Sequence, residues 1–367
     1  MDPILAAVNE HRSAMLATLE RLVTIESPST VKAAVDRCSA VAAGEFDKLG
    51  GRIAWHRSPE FGDHLQADFG PRGRGILLLG HLDTVWELGT LARMPFRIAK
   101  GRAWGPGVLD MKSGVTSMMF ALRVLGGALP KHVTVLLVSD EEVGSASSRA
   151  ITEKLARGCD AVQVLEPATG LHGALKTARK GVGVFHLKVR GRAAHAGVDF
   201  EKGVSAIHEM ARQVQKIAGF TRLKRGLTVN VGVIGGGTRS NVVAEEAWAE
   251  VDVRIARKSD WPAIERKFRA LHAVEVTGGL NRPPMERTAA IAALFRKAQR
   301  LGRDLGLELE ESMTGGGSDG NFTAALGIPT LDGLGAVGEG AHALNESILL
   351  EQFPVRTALL AKLLQSF

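Results

Sequence analysis

Three short apolar runs dominate the first half of the chain: Gly75-Ile-Leu-Leu-Leu-Gly80, Val133-Thr-Val-Leu-Leu-Val138 and Ala161-Val-Gln-Val-Leu165. Runs of this length without polar alternation predict strands covered on both faces, as in a parallel sheet. Helical spacing of apolar positions predicts a helix from Ile4 to Thr24, stopped by Ile25-Glu-Ser-Pro-Ser-Thr30, then helices from Val31 to Leu49 and from Met111 to Leu125. Strand and helix alternate up to about Arg179, which indicates an α/β domain built on a mainly parallel sheet with helices on its faces.

The texture changes at Gly181. The segments 182–190, 227–234 and 247–255 alternate apolar with polar residues, the pattern of an antiparallel sheet with one covered and one wet face. Helices are predicted over 203–219 and 261–273, and a short strand over Val274-Glu-Val276. The order β-α-β-β-α-β predicts a ferredoxin-like α+β domain inserted at 180–287. After Arg287 a helix (Ile291 to Leu305) and a strand (Pro329 to Leu334) return to the first texture, so residues 288–367 are expected to rejoin 1–179. No internal repeat or low-complexity tract interrupts this plan.

A chain of 367 residues with 45% apolar content can bury two cores. The net charge of +7 is spread in short clusters, with no basic stripe interleaved with aromatics, so no nucleic-acid partner is expected. A basic balance suits small carboxylate substrates. Two cysteines, Cys38 and Cys159, are too few for a disulfide framework. No apolar segment is long enough for a bilayer span, and the first 26 residues lack the pattern of a signal peptide, so a cytoplasmic protein without a membrane partner is expected.

The predicted strands stop at residues that bind metals. The first runs into His81-Leu-Asp83, the second into Asp140-Glu141-Glu142, and the third into Glu166; Asp110 lies in Gly105-Pro-Gly-Val-Leu-Asp110, and His342 in the loop 338–346. In an open α/β sheet, ligands bind beyond the carboxyl ends of the strands. Each residue alone has a plainer role. His81 could be satisfied by a loop carboxylate, Asp110 could cap the helix that follows it, Glu141-Glu142 could be a solvated acidic turn, and Glu166 could begin a turn.

Together they offer two imidazoles and three carboxylates, with Asp83 and Glu141 to spare. Asp83, two residues from His81 in an extended segment, is placed to fix its tautomer. Adjacent side chains point different ways, so one of Glu141 and Glu142 can ligate while the other acts as a base. Five ligands exceed what one catalytic zinc takes. Two ions, roughly 3.5 to 4 Å apart, fit the count. The donor types suit zinc, with cobalt or manganese as substitutes.

In this combination the motifs Gly80-His-Leu-Asp-Thr-Val85, Gly105-Pro-Gly-Val-Leu-Asp-Met-Lys112, Asp140-Glu-Glu-Val-Gly144 and Gly315-Gly-Gly-Ser-Asp319 resemble a family. It is the di-zinc metallopeptidases that include carboxypeptidase G, acetylornithine deacetylase, succinyl-diaminopimelate desuccinylase and aminoacylase. Thr177 to Gly183, Gly191-Arg-Ala-Ala-His195-Ala-Gly197 and Arg282-Pro-Pro-Met285 look nearest to the carboxypeptidase G branch.

The resemblance implies a zinc-peptidase catalytic domain with two zinc ions per subunit. Asp110 would bridge them, His81 and Glu166 would hold one, and Glu142 and His342 the other. Glu141 would be the general base, Asp83 would orient His81, and His195 would hold the substrate carbonyl. Asn241, Arg254, Arg282, Gly316 and Gly317 would bind substrate, although a strand-edge salt bridge is the plainer role for Arg254. The implied reaction is release of a C-terminal, glutamate-type amino acid from a small peptide or N-acyl amino acid by a metal-bridging hydroxide. Homodimerisation through the inserted lid domain is implied as well. A deacylase of the acetylornithine or desuccinylase type is the alternative. A non-catalytic peptide-binding relative would usually lose a ligand or the base, and this chain keeps all of them.

Overall fold

The computed structural model describes residues 2–367 and divides into two compact units. The first comprises the chain up to Ala178 with Arg287–Thr314 and Ser318–Phe367; the second comprises Arg179–Glu286 and Gly315–Gly317.

The first unit is built on a six-stranded sheet in the order Arg52–His56, His64–Phe69, His132–Val138, Gly75–His81, Cys159–Val164, Thr330–Leu331. The last four strands run parallel, as the unbroken apolar runs require. Alternate residues of Gly75–His81 enter different cores. Ile76 and Leu78 pack into the large core that holds Met118, Met119, Leu122 and Leu359, whereas Leu77 and Leu79 join Leu136, Val162 and Ala156 on the other face. All four are at most 1% exposed, and each buried leucine contributes about 2 kcal/mol.

The first two strands, which the apolar pattern does not separate, add an antiparallel edge. Arg52–His56 is only partly covered, so its sequence carries no strong period. The helix expected from Ile4 to Thr24 is two helices, Pro3–Glu10 and Arg12–Val23, broken at His11. Val8, Met15, Leu19 and Leu22 remain fully buried across the break, which leaves the apolar stripe continuous and the interruption invisible to periodicity. The final strand is shorter than expected, Thr330–Leu331 alone.

The second unit is the ferredoxin-like arrangement. Its strands lie in the order Thr228–Gly236, Glu246–Ile255, Gly181–Arg190, Glu275–Arg282, all antiparallel to their neighbours. Helices Ala206–Ala218 and Trp261–Arg269 cover one face. Phe185 anchors that face, stacked 4.0 Å from Phe268 and 5.6 Å from Trp261 between ring centroids. The strand expected at 274–276 continues to Arg282, past a register shift between Leu280 and Arg282.

Candidate metal centre

His81 ends its strand 1% exposed. Its Nδ1 lies 2.9 Å from the main-chain oxygen of Asp83, an acceptor for the Nδ1 proton, so Nε2, 3.2 Å from Asp110 Oδ1, is the nitrogen turned toward the cluster. The Asp83 carboxylate is farther, 3.5 Å from Nδ1. That carboxylate accepts the Ser29 hydroxyl at 2.7 Å and the N–H groups of Glu141 at 3.3 Å and Glu142 at 3.1 Å. Asp83 thus orients His81 mainly through its backbone, while its side chain holds the turn that carries both glutamates.

Asp110 is not a helix cap. It sits at φ −114°, ψ 96°, joined to Met111 by a cis peptide, and the helix begins at Ser113. Gly114 lets that helix approach the chain just before Glu166, since a Cβ there would lie 2.1 Å from the Leu165 carbonyl oxygen. The Asp110 carboxylate faces two imidazoles. Oδ1 is 3.2 Å from Nε2 of His81, and Oδ2 is 3.4 Å from Nε2 of His342. Glu166 brings Oε1 to 3.5 Å from His81 Nε2, and Glu142 brings Oε2 to 3.2 Å from His342 Nε2. Donors held at about 2.0–2.1 Å by one tetrahedral zinc are roughly 3.3 Å apart, so these spacings already match a ligand shell.

Glu141 points into the same space: its donor oxygen and those of His81 and Glu166 lie within 4.8 Å of one another, as do those of His81, Asp110 and Glu142. Glu142 keeps a buried Oε1 with no hydrogen-bond partner, an acceptor that a cation would satisfy. The two halves differ in access, because His81 is enclosed and the His342 side chain is 50% exposed. His342 adopts φ +62°, uncommon outside glycine, beside Gly340 at φ +82°.

The charges are strongly interdependent. Burial would disfavour an imidazolium at His81, yet the carboxylates of Asp110, Asp83 and Glu166 raise it well above the usual histidine range. His342 is raised to about 10 by Asp110 and Glu142 against a smaller effect of burial. Burial opposes ionisation of Asp110, but His342 and His81 hold it far below the ordinary carboxylate range. For Glu142 burial prevails over His342 and the carboxyl is raised. A divalent ion there would displace the imidazole protons and bring positive charge to the carboxylates.

The remaining predicted positions lie in the second unit. His195 is exposed, and its Nδ1 accepts the Gly197 N–H at 3.1 Å, which leaves the ring proton on Nε2. Asn241 is joined to it through the Ala196 N–H bond to the Asn241 carbonyl, 3.0 Å. Arg254 pairs with Asp252 through Nε at 2.9 Å and Nη2 at 2.8 Å, the strand salt bridge, while Nη1 meets only the Gly315 carbonyl oxygen at 3.4 Å. Arg282 is buried, with Nη1 3.2 Å from Asn281 Oδ1. The carbonyls of Gly316 and Gly317 accept Nη1 of Arg179 at 3.2 and 3.1 Å.

The model of Peptidase family M20/M25/M40 matches residues 77–366. The chain belongs to this family. Carboxypeptidase G2 of Pseudomonas sp. (strain RS-16) is 29% identical, across 98% of this chain and 90% of that protein. Succinyl-diaminopimelate desuccinylase of Dechloromonas aromatica (strain RCB) is 30% identical, across 79% of this chain and 82% of that protein. The crystal structure of aminopeptidase PepT from Bacillus cereus ATCC 10987 superposes with a TM-score of 0.78 at 22% identity, covering 96% of this chain and 98% of that one.

The resemblance drawn from the motifs is therefore borne out. This M20-family chain is a hydrolytic enzyme of peptide or acyl amide bonds, from a metal-dependent family, and it carries a cluster of candidate metal ligands. No helix among the described residues is long and apolar enough to cross a membrane.

Two supports of this M20-family site escaped the sequence. Asp140, fully buried, accepts the N–H of Ser147 at 2.7 Å and its hydroxyl at 2.8 Å, and His64 Nε2 lies 3.0 Å from the same hydroxyl oxygen. This network backs the glutamate turn. Glu346 binds the loop that carries Asp110 across more than 230 residues of chain, and no local pattern marks it.

Proposed function

We propose that the chain is a two-metal carboxypeptidase or N-acyl-amino-acid amidohydrolase that releases an amino acid with a free α-carboxylate, of the glutamate type. The observation that carries this reading is Asp110 with one oxygen toward each imidazole, flanked by Glu166 on one side and Glu142 on the other. His81, Asp110 and Glu166 would hold one ion; His342, Asp110 and Glu142 would hold the second. Zinc is the expected metal, with cobalt or manganese able to replace it.

Two divalent ions there would polarise an amide carbonyl and lower the pKa of the attacking water. Glu141 takes the proton from that water and delivers it to the leaving amine nitrogen. Asp83 fixes the main-chain N–H of Glu141 and so aims the base. His195, with its proton on Nε2, donates to the carbonyl oxygen as charge develops there. Asn241, Arg254, Arg282, Gly316 and Gly317 are assigned to the substrate, with Nη1 of Arg254 the donor left for its carboxylate while Asp252 keeps the other edge of the guanidinium.

The two buried free thiols suit a reducing, cytoplasmic setting. The second unit supports a homodimer: its sheet ends in an open strand, Thr228–Gly236, that leaves Val233 and Ile234 exposed, and pairing such edges across a two-fold axis would cover them.

Metal analysis with a panel of N-acyl amino acids tests the reading. Uptake of two ions and hydrolysis of N-acylglutamates are expected; a protein that binds no metal and cleaves no panel member would sink it. The likeness to a succinyl-diaminopimelate desuccinylase favours a second reading, a deacylase of diamino acids. Higher kcat/KM for N-succinyl or N-acetyl diamino acids than for glutamate conjugates would select it.

A further inference from the structure

Glu346 is a fully buried carboxylate that the reaction above does not use. Its Oε1 accepts the N–H groups of Leu109 at 2.8 Å and Asp110 at 3.0 Å, and its Oε2 accepts Gly107 N–H at 2.9 Å and Trp86 Nε1–H at 2.9 Å. A buried carboxylate is costly unless its lone pairs are satisfied. Four donors meet that need, and none belongs to a basic side chain. Three of them are backbone groups of the turn that ends in Asp110.

Glu346 also closes the loop that presents His342. Residues 341–345 are all exposed, whereas Glu346, Ser347 and Ile348 are buried. Bonds from Ala343 N–H to the Gly340 carbonyl, 2.8 Å, and from Glu346 N–H to the Ala343 carbonyl, 2.9 Å, fold the loop back onto that anchor. One side chain therefore grips the backbone of Asp110 and fixes the root of the His342 loop. The far side of Asp110 is secured separately. Met111 is fully buried with its sulfur 3.4 Å from the His81 nitrogen, and Lys112 donates to the Ile25 carbonyl at 2.8 Å.

The geometry points to Glu346 as a positioning residue that sets the span between Asp110 and His342, and thereby the affinity of the metal position on the His342 side, while leaving the His81 side intact. This rests on the two-metal reading above. A carboxylate is needed, because an amide at this position would turn an NH2 group toward two of the four N–H donors.

The test is stepwise Zn2+ binding to the metal-free, full-length protein by calorimetry, with the visible absorption of the Co2+ form and the thermal midpoint of the metal-free form recorded in parallel. Glu346→Gln should bind the first ion within about threefold of the parent and the second at least about tenfold more weakly, the range in which residues supporting ligands act. Its second-site Co2+ band should be displaced, and activity should return as metal is raised. Glu346→Ala should be weaker still. Should either fail to fold, Trp86→Phe, which deletes one donor from outside the Asp110 turn, must still weaken the second ion. Equal binding of both ions by variants and parent overturns the assignment. So does parallel weakening of both ions with a lowered metal-free midpoint, the mark of a merely structural role. A parent protein that takes up only one ion would instead overturn the two-metal reading itself.

Discussion

The main sheets of the two units stand in opposite relations to their candidate functional residues. In the first unit the sheet is buried on both faces, and His81 and Glu166 stand at or just beyond strand ends, within 3.5 Å of each other and enclosed. In the second unit the sheet is covered on one face only, and His195 and Asn241 stand exposed outside its strands, on segments joined by the Ala196 N–H bond to the Asn241 carbonyl and the Val243 N–H bond to the Ala194 carbonyl. A parallel sheet points its carboxyl ends the same way and so gathers charged side chains from several strands at one edge. Connecting segments beyond an antiparallel sheet display side chains individually. The first arrangement suits holding cations, and the second suits recognising something that arrives.

Removing metal probes that contrast most severely. Chelation should abolish hydrolysis, and zinc or cobalt should restore it, while circular dichroism shows both units still folded; turnover indifferent to chelation would end the assignment of the first unit as a cation site. Next in size, Glu141→Ala should reduce kcat by at least about 10³-fold with both ions retained, because a general base is lost and no ligand is. Metal loss in that variant would move Glu141 into the ligand set.

His195→Ala should lower kcat by on the order of 10²-fold through the loss of one oxyanion donor, with metal affinity unchanged. A change in metal affinity would break the division of labour between the units.

The smallest effects concern charge. Burial favours the neutral acid at Asp63, but Lys32, the Ser58 N–H and Arg57 outweigh it and lower the pKa to about 2. The folded value is below the unfolded one, so this contribution is present above about pH 4 and is lost as the pH falls toward 2. Asp63→Asn should therefore cost roughly 2 kcal/mol at neutral pH and flatten the acid limb of the stability profile. His342 has the opposite sign. With its pKa raised to about 10, the metal-free cluster should be most stable below the ordinary histidine range and should loosen as the pH rises through 10. Urea melts of the metal-free protein at stepped pH measure both limbs.

What was legible in the chain follows from the same physics. Unbroken apolar runs mark strands buried on both faces, so the strands that end at His81 and two residues before Glu166 could be found, and strict alternation marked the strand Glu246–Ile255 just as well. The edge strand Arg52–His56 satisfies neither rule because it is only partly covered. The break at His11 displaces no apolar residue and leaves no trace. Asp83 could be placed beside His81 by spacing, but the choice between its carbonyl and its carboxylate depends on Ser29 and the glutamate turn, which only tertiary structure brings near. Glu346 is the extreme case, since its partners are local to one another and remote from it.

Where the second unit begins and ends, the chain lies alongside itself: Arg179 N–H bonds to the Met285 carbonyl at 2.9 Å, and Met285 N–H returns to Arg179 at 3.1 Å. An insertion whose two ends are stapled together is a cassette. It can be exchanged for another of the same gauge without rethreading its host, provided that the glycines at 315–317 still find an arginine to receive them. Selection can in this way exchange one module and leave untouched the cluster of candidate metal ligands that took the rest of the chain to assemble.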